Sequence, residues 1–220
     1  MNSDLIHVML LSFYFLILFG SAEFLLYKAN WKPESTRKWV HFGTGILTFL
    51  FPVMLSNHGW VLLLCSSFAI LLTLSMKFNF LKSINGVDRI TWGSLCFPLS
   101  VYLCFVAYQM QHNTLYFYLP MLILAVSDPM AALVGKATQW RPYTVFGQIK
   151  TLGVSLAFFT TTFILGVIFH VGFNHELFSS KASVILLVAL ISTLAEAFST
   201  KGWDNVSIPM SVIIAHLLLS

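Results

Sequence analysis

The sequence predicts an all-α integral membrane protein with about eight transmembrane helices, and three observations lead to this fold class. The chain of 220 residues is 58% hydrophobic and only 9% charged, whereas a soluble domain normally carries about 25% charged residues. Apolar runs recur along almost the whole chain, and the basic residues fall almost entirely on one side of them. No segment has the length or polarity of a separate soluble domain, so a single transmembrane domain over residues 1–220 is expected.

Eight apolar segments approach the roughly 20 residues that a helix needs to cross the hydrocarbon core. They run approximately from 5 to 27, 38 to 55, 59 to 76, 93 to 109, 115 to 137, 151 to 172, 182 to 200 and 206 to 220. The fourth and eighth are short, which leaves seven spans as the alternative. The first lacks a basic n-region and is long for a signal peptide, so we expect it to be retained.

The orientation follows from the lysines and arginines, because cytoplasmic loops hold an excess of them. With eight spans, Lys181 lies alone on one side of the membrane. The other side receives Lys28, Lys32, Arg37, Lys38, Lys77, Lys82, Arg89, Lys136, Arg141, Lys150 and Lys201. Both termini are therefore predicted outside the cytoplasm, in a bacterial cytoplasmic membrane or a eukaryotic endomembrane. The net charge of +4 reflects this topology, with some attraction to anionic membrane lipids, and requires no nucleic-acid partner.

Ionisable groups border the apolar spans in four places, all at helix ends on the basic side. The first is PESTRKWVHFGTG, residues 33 to 45, where Arg37 and His41 are four apart and share one helix face. A cation beside an imidazole at a helix start could hold a phosphate. The alternative is that Arg37 and Lys38 anchor the topology and that His41 is an interfacial histidine.

The second place is LAVSDPMAALVGK, residues 124 to 136, which puts Asp128 inside an apolar span. Ala131, Ala132 and Gly135 share its helix face, so this face allows either close helix packing or space for a ligand. Pro129 removes a backbone hydrogen bond, which predicts a break or kink at residues 127 to 129. A carboxylate at membrane depth is costly enough that a functional role is favoured over a capping or structural one.

The third place is FGQIKTLGVS, residues 146 to 155, where Lys150 and Thr151 open the sixth predicted helix. A helix N-terminus with its backbone N–H groups and a lysine suits a phosphate, although a lysine at a cytoplasmic helix start is common.

The fourth place is AEAFSTKGWDNVSIP, residues 195 to 209. Glu196 lies near the end of the seventh span, and Asp204 and Asn205 enter the eighth, where they could be only a cap and a turn residue. Together with Asp128, the two acids and the neighbouring cations suit Mg²⁺ and a polyphosphate. The pattern indicates phosphoryl transfer to a lipid hydroxyl at the membrane interface.

Five motifs in order resemble those of the polyprenol kinase family, which groups dolichol kinases, phytol kinases and CTP-dependent diacylglycerol kinases. They are RKWVH (37 to 41), RITWGSLCFP (89 to 98), SDPMAALVGK (127 to 136), KTLGVS (150 to 155) and E-x7-DN-x3-P (196 to 209). The resemblance implies an enzyme that transfers the γ-phosphoryl group of a nucleoside triphosphate, most often CTP, to an isoprenoid or other lipid alcohol.

The resemblance also implies roles for individual residues. Asp128 and Lys150 would be catalytic, and the metal ligands would be Asp128, Glu196 and Asp204. The nucleotide would be bound by Arg37, Lys38, His41, Arg89, Lys136, Lys150, Thr151 and Asn205.

Four residues depart from the family pattern. Ser127 replaces the usual glycine before the aspartate, Gly153 and Val154 replace Glu-Gly after the lysine, and Ser94 stands where relatives often have glutamate. These changes leave the charged residues in place and bear on the choice of substrate and nucleotide.

Two other functional classes would also use acidic and basic residues near a membrane. In a CDP-lipid synthase, CTP donates its cytidylyl group, but the C-terminal KD and PGHGG elements of that class are absent from the sequence. An ion-coupled transporter would use a broken helix and acids near the bilayer centre, and it predicts internal repeats, which the sequence does not show. A non-catalytic scaffold would leave the clustered acids without a role.

Overall fold

The computed structural model describes residues 3–78, 80–86, 92–138, 140–173 and 178–219. Within these ranges the protein is helical apart from one short β-hairpin, which confirms the all-α class. The chain forms two compact units, Met1–Thr114 and Leu115–Ser220. Arg89 lies outside the described residues, and so does the side chain of Lys136.

In its described residues the first unit contains four long helices and two short ones. They are α1 (Ser3–Tyr27), α2 (Pro33–Thr48), α3 (Phe51–Met54), α4 (His58–Phe78), α5 (Lys82–Asn85) and α6 (Gly93–Gln111). A cluster of buried apolar side chains forms part of its core, and Phe19 of this cluster packs edge-on against Phe68. Ser83 joins three helices, because its N–H donates to Glu23 at 2.9 Å and its carbonyl accepts from Thr36 at 2.8 Å.

The second unit contains four long helices, a hairpin and a short π-helix. They are α7 (Leu115–Thr138), β1 (Pro142–Val145), β2 (Gln148–Thr151), α8 (Leu152–Val167), the π-helix Ile168–Phe173, α9 (Phe178–Phe198) and α10 (Asp204–Leu219). Helices α7 and α8 pack as an antiparallel pair, since Ser127 meets Thr162 near the middle of the pair and Gly135 meets Val154 near the loop.

Six helices in the described part of the chain are long and apolar enough to cross a membrane, which supports an integral multi-pass membrane protein. These segments are Ser3–Tyr27, His58–Phe78, Gly93–Gln111, Leu115–Gly135, Leu152–Gly172 and Lys181–Phe198. The other two predicted spans correspond to α2 and α10, which have 16 residues each. Sixteen residues reach only about 24 Å at 1.5 Å per residue, less than the thickness of the hydrocarbon core. The count of eight spans and the sides of the termini therefore stay predictions.

Of the break or kink predicted at residues 127 to 129, the break is wrong, because α7 runs as one helix through both Pro120 and Pro129, and the kink stays a prediction. Pro129 lacks the N–H that would bond to the carbonyl of Ala125, but neighbouring helices can hold a helix together at such a position. Ser127 lies two residues before Pro129 and accepts a buried hydrogen bond from the Thr162 hydroxyl of α8. Packing against α8 therefore supports the continuous helix.

The β-hairpin was not predicted, since residues 142 to 150 lie between the predicted spans 115 to 137 and 151 to 172. Its strands pair in antiparallel register from Pro142 with Thr151 to Val145 with Gln148. The connection is a two-residue turn in which Phe146 and Gly147 both have positive φ, 46° and 76°. This conformation is that of a type I′ turn, which favours glycine at the second position. Two four-residue runs separated by Phe-Gly are the signal that could have revealed the hairpin.

Candidate active site

The clearest site feature of the second unit is a buried ion pair between Lys150 and Glu196. Strand β2 carries the lysine to the start of α8, and the glutamate lies in the last turn of α9. The Lys150 ammonium donates to Glu196 Oε1 at 2.6 Å and also to the backbone carbonyl of Glu196. The side chains are only 14% and 7% exposed. The pair therefore joins the hairpin to α9 and brings two predicted site residues together.

The second carboxylate oxygen of Glu196 has a different environment. Oε2 is buried and has no hydrogen-bond partner among the described residues. Leaving a buried acceptor unsatisfied costs about 1–3 kcal/mol, so a ligand that donates to it or coordinates it would be favoured here. Mg²⁺ prefers such oxygen ligands and is commonly held by one or two carboxylates together with substrate phosphates. Glu196 therefore fits the predicted metal role.

Thr151 is the N-cap of α8, as expected for a residue that opens a helix. Its hydroxyl accepts from the N–H of Val154 at 3.3 Å. The N–H groups of Leu152 and Gly153 donate to the carbonyls of Arg141 and Trp140. The first three N–H groups of the helix are thus already bonded within the protein. Phosphate binding at this end would depend on the lysine cation rather than on backbone N–H groups.

Asp128 is half-buried on α7 and lies seven residues before Gly135, the end of the apolar span. This separation corresponds to roughly 10 Å along a helix, so the carboxylate lies well inside the span. A Cβ atom on Gly135 would lie 2.2 Å from Val154 Cγ2. At this position the small side chains of α7 therefore allow close packing against α8, which was one of the two interpretations of this face.

The turn between α9 and α10 holds the remaining predicted residues of this unit. Lys201 and Gly202 have positive φ, 55° and 91°, and reverse the chain. The carboxylate of Asp204 accepts from the N–H of Asn205 at 3.0 Å, and the Asn205 amide donates to the Gly202 carbonyl at 3.3 Å. Asp204 is the first residue of α10 and not its N-cap, whereas Asn205 has a bond within the turn. These bonds do not test the predicted roles of the two residues as ligands.

The predicted nucleotide residues on α2 belong to the first unit. Arg37 pairs with Glu34 at 3.1 Å, with side chains 29% and 39% exposed, and its buried Nε has no partner among the described residues. The His41 ring packs edge-on against Phe97, with centroids 5.7 Å apart. Lys38 is half-buried beside them. The nucleotide-binding roles of these three residues stay predictions.

Within the described ranges, no three side chains of histidine, cysteine, aspartate or glutamate are grouped as a metal site. The structure brings Lys150 and Glu196 together next to Thr151. It does not gather Asp128, Glu196 and Asp204 into one protein-only cluster. Their roles as metal ligands, and the catalytic role of Asp128, stay predictions.

Comparison with known proteins gives one strong match. A phytol kinase of Synechocystis sp. is 31% identical to this chain over 194 residues, and the alignment covers 87% of the chain and 82% of the relative. This chain belongs to the polyprenol kinase family. The polyprenol kinase resemblance of the five motifs is therefore confirmed. No family model and no solved structure matches the chain.

Three of the four departures from the polyprenol kinase pattern lie at one helix interface. Ser127 bonds to Thr162, and Val154 contacts Gly135. A Cβ atom on Gly153 would lie 2.7 Å from the hydroxyl oxygen of Thr138. These residues lie where α7 and α8 pack against each other, and none of them is one of the charged residues of the site. The fourth, Ser94, lies in the first turn of α6 in the other unit.

Proposed function

We propose that this polyprenol kinase transfers the γ-phosphoryl group of a nucleoside triphosphate to the hydroxyl of an isoprenoid or other lipid alcohol. The donor would be CTP, which the family resemblance implies, and the reaction would use Mg²⁺ at the cytoplasmic face of the membrane. The relative from Synechocystis, named a phytol kinase, supports the lipid alcohol as acceptor. The observation that carries the proposal is the buried Lys150–Glu196 pair with its unsatisfied carboxylate oxygen.

The reaction forms a bond from the lipid hydroxyl oxygen to the γ-phosphorus and breaks the bond from that phosphorus to the β–γ bridging oxygen. A nucleoside diphosphate leaves, and the hydroxyl proton passes to a carboxylate, for which we propose Asp128. Mg²⁺ would neutralise the charge of the phosphates, with Glu196, Asp128 and Asp204 as its proposed ligands. Cations would position the nucleotide: Arg37, Lys38, Arg89, Lys136 and Lys150, together with His41, Thr151 and Asn205.

The ion pair can contribute to this reaction because burial fixes the lysine. Glu196 holds the Lys150 ammonium through its Oε1 and its backbone carbonyl, so the charge is placed at the start of α8 before a substrate arrives. An ammonium that is positioned in advance stabilises developing phosphate charge without reorganisation. The continuous helix α7 does not support the transporter alternative, whose ion sites are formed by broken helices.

The test is phosphoryl transfer by the purified protein in lipid nanodiscs with Mg²⁺, γ-labelled CTP or ATP, and a panel of lipid alcohols. We expect label on the lipid and release of a nucleoside diphosphate. In a parallel reaction with phosphatidate as the acceptor, pyrophosphate release with formation of a CDP-lipid would instead show a cytidylyltransferase. The absence of label with every donor and lipid alcohol would contradict the proposal.

Asp128→Asn is the sharpest variant, since it removes the charge and keeps the shape. A positioned general base contributes about 10²–10⁴-fold, so turnover should fall by that factor while the protein remains folded. Lys77→Met, at an exposed lysine in the last turn of α4, is the control for general loss of charge and should retain activity. Retained activity in Asp128→Asn would remove Asp128 from the mechanism.

A further inference from the structure

Tyr143 lies beside Lys150 in the hairpin and has no role in the proposed reaction. The register of the strands places Tyr143 directly opposite Lys150. Side chains of residues that are directly opposite in an antiparallel pair lie on the same face, with Cβ atoms about 4.5–5.5 Å apart. Both residues are partly buried, whereas Thr144 and Ile149 on the other face are exposed. The face with the tyrosine and the lysine is therefore the one that meets the helices.

The two side chains on this face contact different helices. The hydroxyl of Tyr143 is hydrogen-bonded to the hydroxyl of Ser155, in the first turn of α8, at 2.7 Å. The Lys150 ammonium donates to Glu196 of α9 at 2.6 Å. Strand β1 is thus attached to α8 through Tyr143, and strand β2 is attached to α9 through Lys150.

The hairpin is too small to hold its own conformation. Its strands have four residues each, and an isolated two-stranded hairpin is at best marginally stable. Phe146 in the turn and Ile149 in β2 are 80% and 78% exposed, so they bury little surface against the protein. The first two N–H groups of α8 bond to the residues just before β1, which fixes only the base of the hairpin. The orientation of the strands above this base therefore depends on the contacts of Tyr143 and Lys150.

Of these two contacts, only the one made by Tyr143 is independent of the ammonium charge. In the proposed reaction the phosphates compete with Glu196 for Lys150, so the ion pair weakens when the nucleotide binds. The bond between the hydroxyls of Tyr143 and Ser155 is neutral on both sides and does not compete for that charge. It can therefore hold β2 in place, through its partner strand, while Lys150 interacts with the phosphates.

We propose that Tyr143 is a positioning residue for Lys150. Its hydrogen bond to Ser155 holds the hairpin against α8, so that the lysine side chain starts from a fixed place when the nucleotide arrives. This inference rests on the proposed function for the role of Lys150 and adds the contact that places it. Tyr143 and Ser155 act through the lysine and contact neither substrate.

Steady-state kinetics test this role. Tyr143→Phe and Ser155→Ala each remove one hydroxyl, and a neutral hydrogen bond is worth about threefold to tenfold in an equilibrium. Each variant should lower kcat/KM for the nucleotide by about that factor and leave the KM for the lipid alcohol unchanged. The double variant should lose no more than either single variant, because all three lack the same bond.

Tyr102→Phe is the matched control for these kinetics. It removes a tyrosine hydroxyl that bonds to His58 in the first unit, and it should leave kcat/KM for the nucleotide unchanged. Losses that add in the double variant would show that the two hydroxyls act separately, which would overturn the proposal. An unchanged kcat/KM in both single variants of an active parent protein would overturn it as well.

Chemical labelling of lysines tests the position of Lys150 without turnover. A trace of an amine-acylating reagent is added to the protein in nanodiscs without nucleotide, and the label on each lysine is measured by mass spectrometry. Lys150 is protected by its ion pair and reacts when the hairpin opens, so its labelling rate follows the open fraction. In Tyr143→Phe and Ser155→Ala this rate should rise about threefold to tenfold. The exposed Lys77 and Lys201 should react equally in every variant.

The two proposals fail in different ways. If the parent protein phosphorylates a lipid alcohol but Tyr143→Phe leaves the labelling of Lys150 unchanged, the positioning role is overturned and the proposed function stands. If no lipid alcohol is phosphorylated while the labelling of Lys150 rises as expected, the proposed function fails and the contact that positions Lys150 is supported.

Discussion

Ser127 departs from the family pattern at a buried position between α7 and α8. It is fully buried and accepts a hydrogen bond from the Thr162 hydroxyl at 3.0 Å. We expect Ser127→Gly, which restores the usual family residue, to lower stability by about 1 kcal/mol because Thr162 loses this partner. Turnover should change less than threefold, roughly the effect of a distant packing change.

Thermal unfolding in detergent and the phosphoryl-transfer assay measure these two effects. The double variant Ser127→Ala with Thr162→Val removes both hydroxyls and should recover part of the lost stability, since no buried hydroxyl is then left unsatisfied. A large loss of turnover in Ser127→Gly at unchanged stability would instead place Ser127 in the active site.

For the Lys150–Glu196 pair, the loss of one partner should destabilise the protein more than the loss of both. Removing one member of a buried pair leaves an uncompensated charge, so Lys150→Met should cost about 3–5 kcal/mol of stability. Adding Glu196→Gln should recover much of this loss, because both charges are then gone, but it should not recover activity. Melting temperature and initial rate, measured on the same preparations, distinguish the effect on stability from the effect on activity. A double variant with normal turnover would rule out a role for the pair in the reaction.

At the scale of elements, the contact between α7 and α8 depends on Gly135. A Cβ atom there would lie 2.2 Å from Val154 Cγ2, so the Val154 side chain or the spacing of the two helices would have to change. We therefore expect Gly135→Ala to destabilise the protein by about 1–3 kcal/mol, the usual cost of overpacking. Val154→Ala in the same chain should restore stability, since it removes the atom that clashes. Failure of this rescue in thermal unfolding would contradict the described packing.

The hairpin depends on Gly147, whose φ of 76° is unfavourable for other residues. Gly147→Ala should cost about 1–2 kcal/mol locally and raise the KM for the nucleotide, because β2 carries Lys150. Gly20→Ala is the matched control, since a Cβ atom there meets nothing within 4 Å. Steady-state kinetics compare the two variants. An unchanged KM in Gly147→Ala would show that the conformation of the hairpin does not affect nucleotide binding.

At the scale of the whole molecule, the span count can be read from the sides on which three loops lie. Eight spans predict that Lys32→Cys and Phe146→Cys are labelled from the cytoplasm and that Asn57→Cys is labelled from the opposite side. All three positions are exposed, and the native Cys65, Cys96 and Cys104 are buried and should give little background. A membrane-impermeant thiol reagent on cells and on inverted vesicles makes the measurement. Labelling of residues 32 and 57 from one side would show that α2 does not cross.

The sequence by itself determined the membrane class, the approximate position of each helix and the family. Hydropathy and span length are local properties, so α1, α4, α7 and α9 could be predicted from short windows of residues. The five ordered motifs are also short local patterns, and they indicated the family. The hairpin was missed because its four-residue strands give no hydropathy signal. The break at Pro129 was wrongly predicted because a local rule does not include the support of a neighbouring helix.

Only the tertiary structure decided which residues meet. Lys150 and Glu196 are 46 positions apart, and Ser127 and Thr162 are 35 apart. No window of sequence relates such residues, because their contact depends on how whole helices pack. Packing thus determines the arrangement of the site, whereas hydropathy determines which segments lie in the membrane.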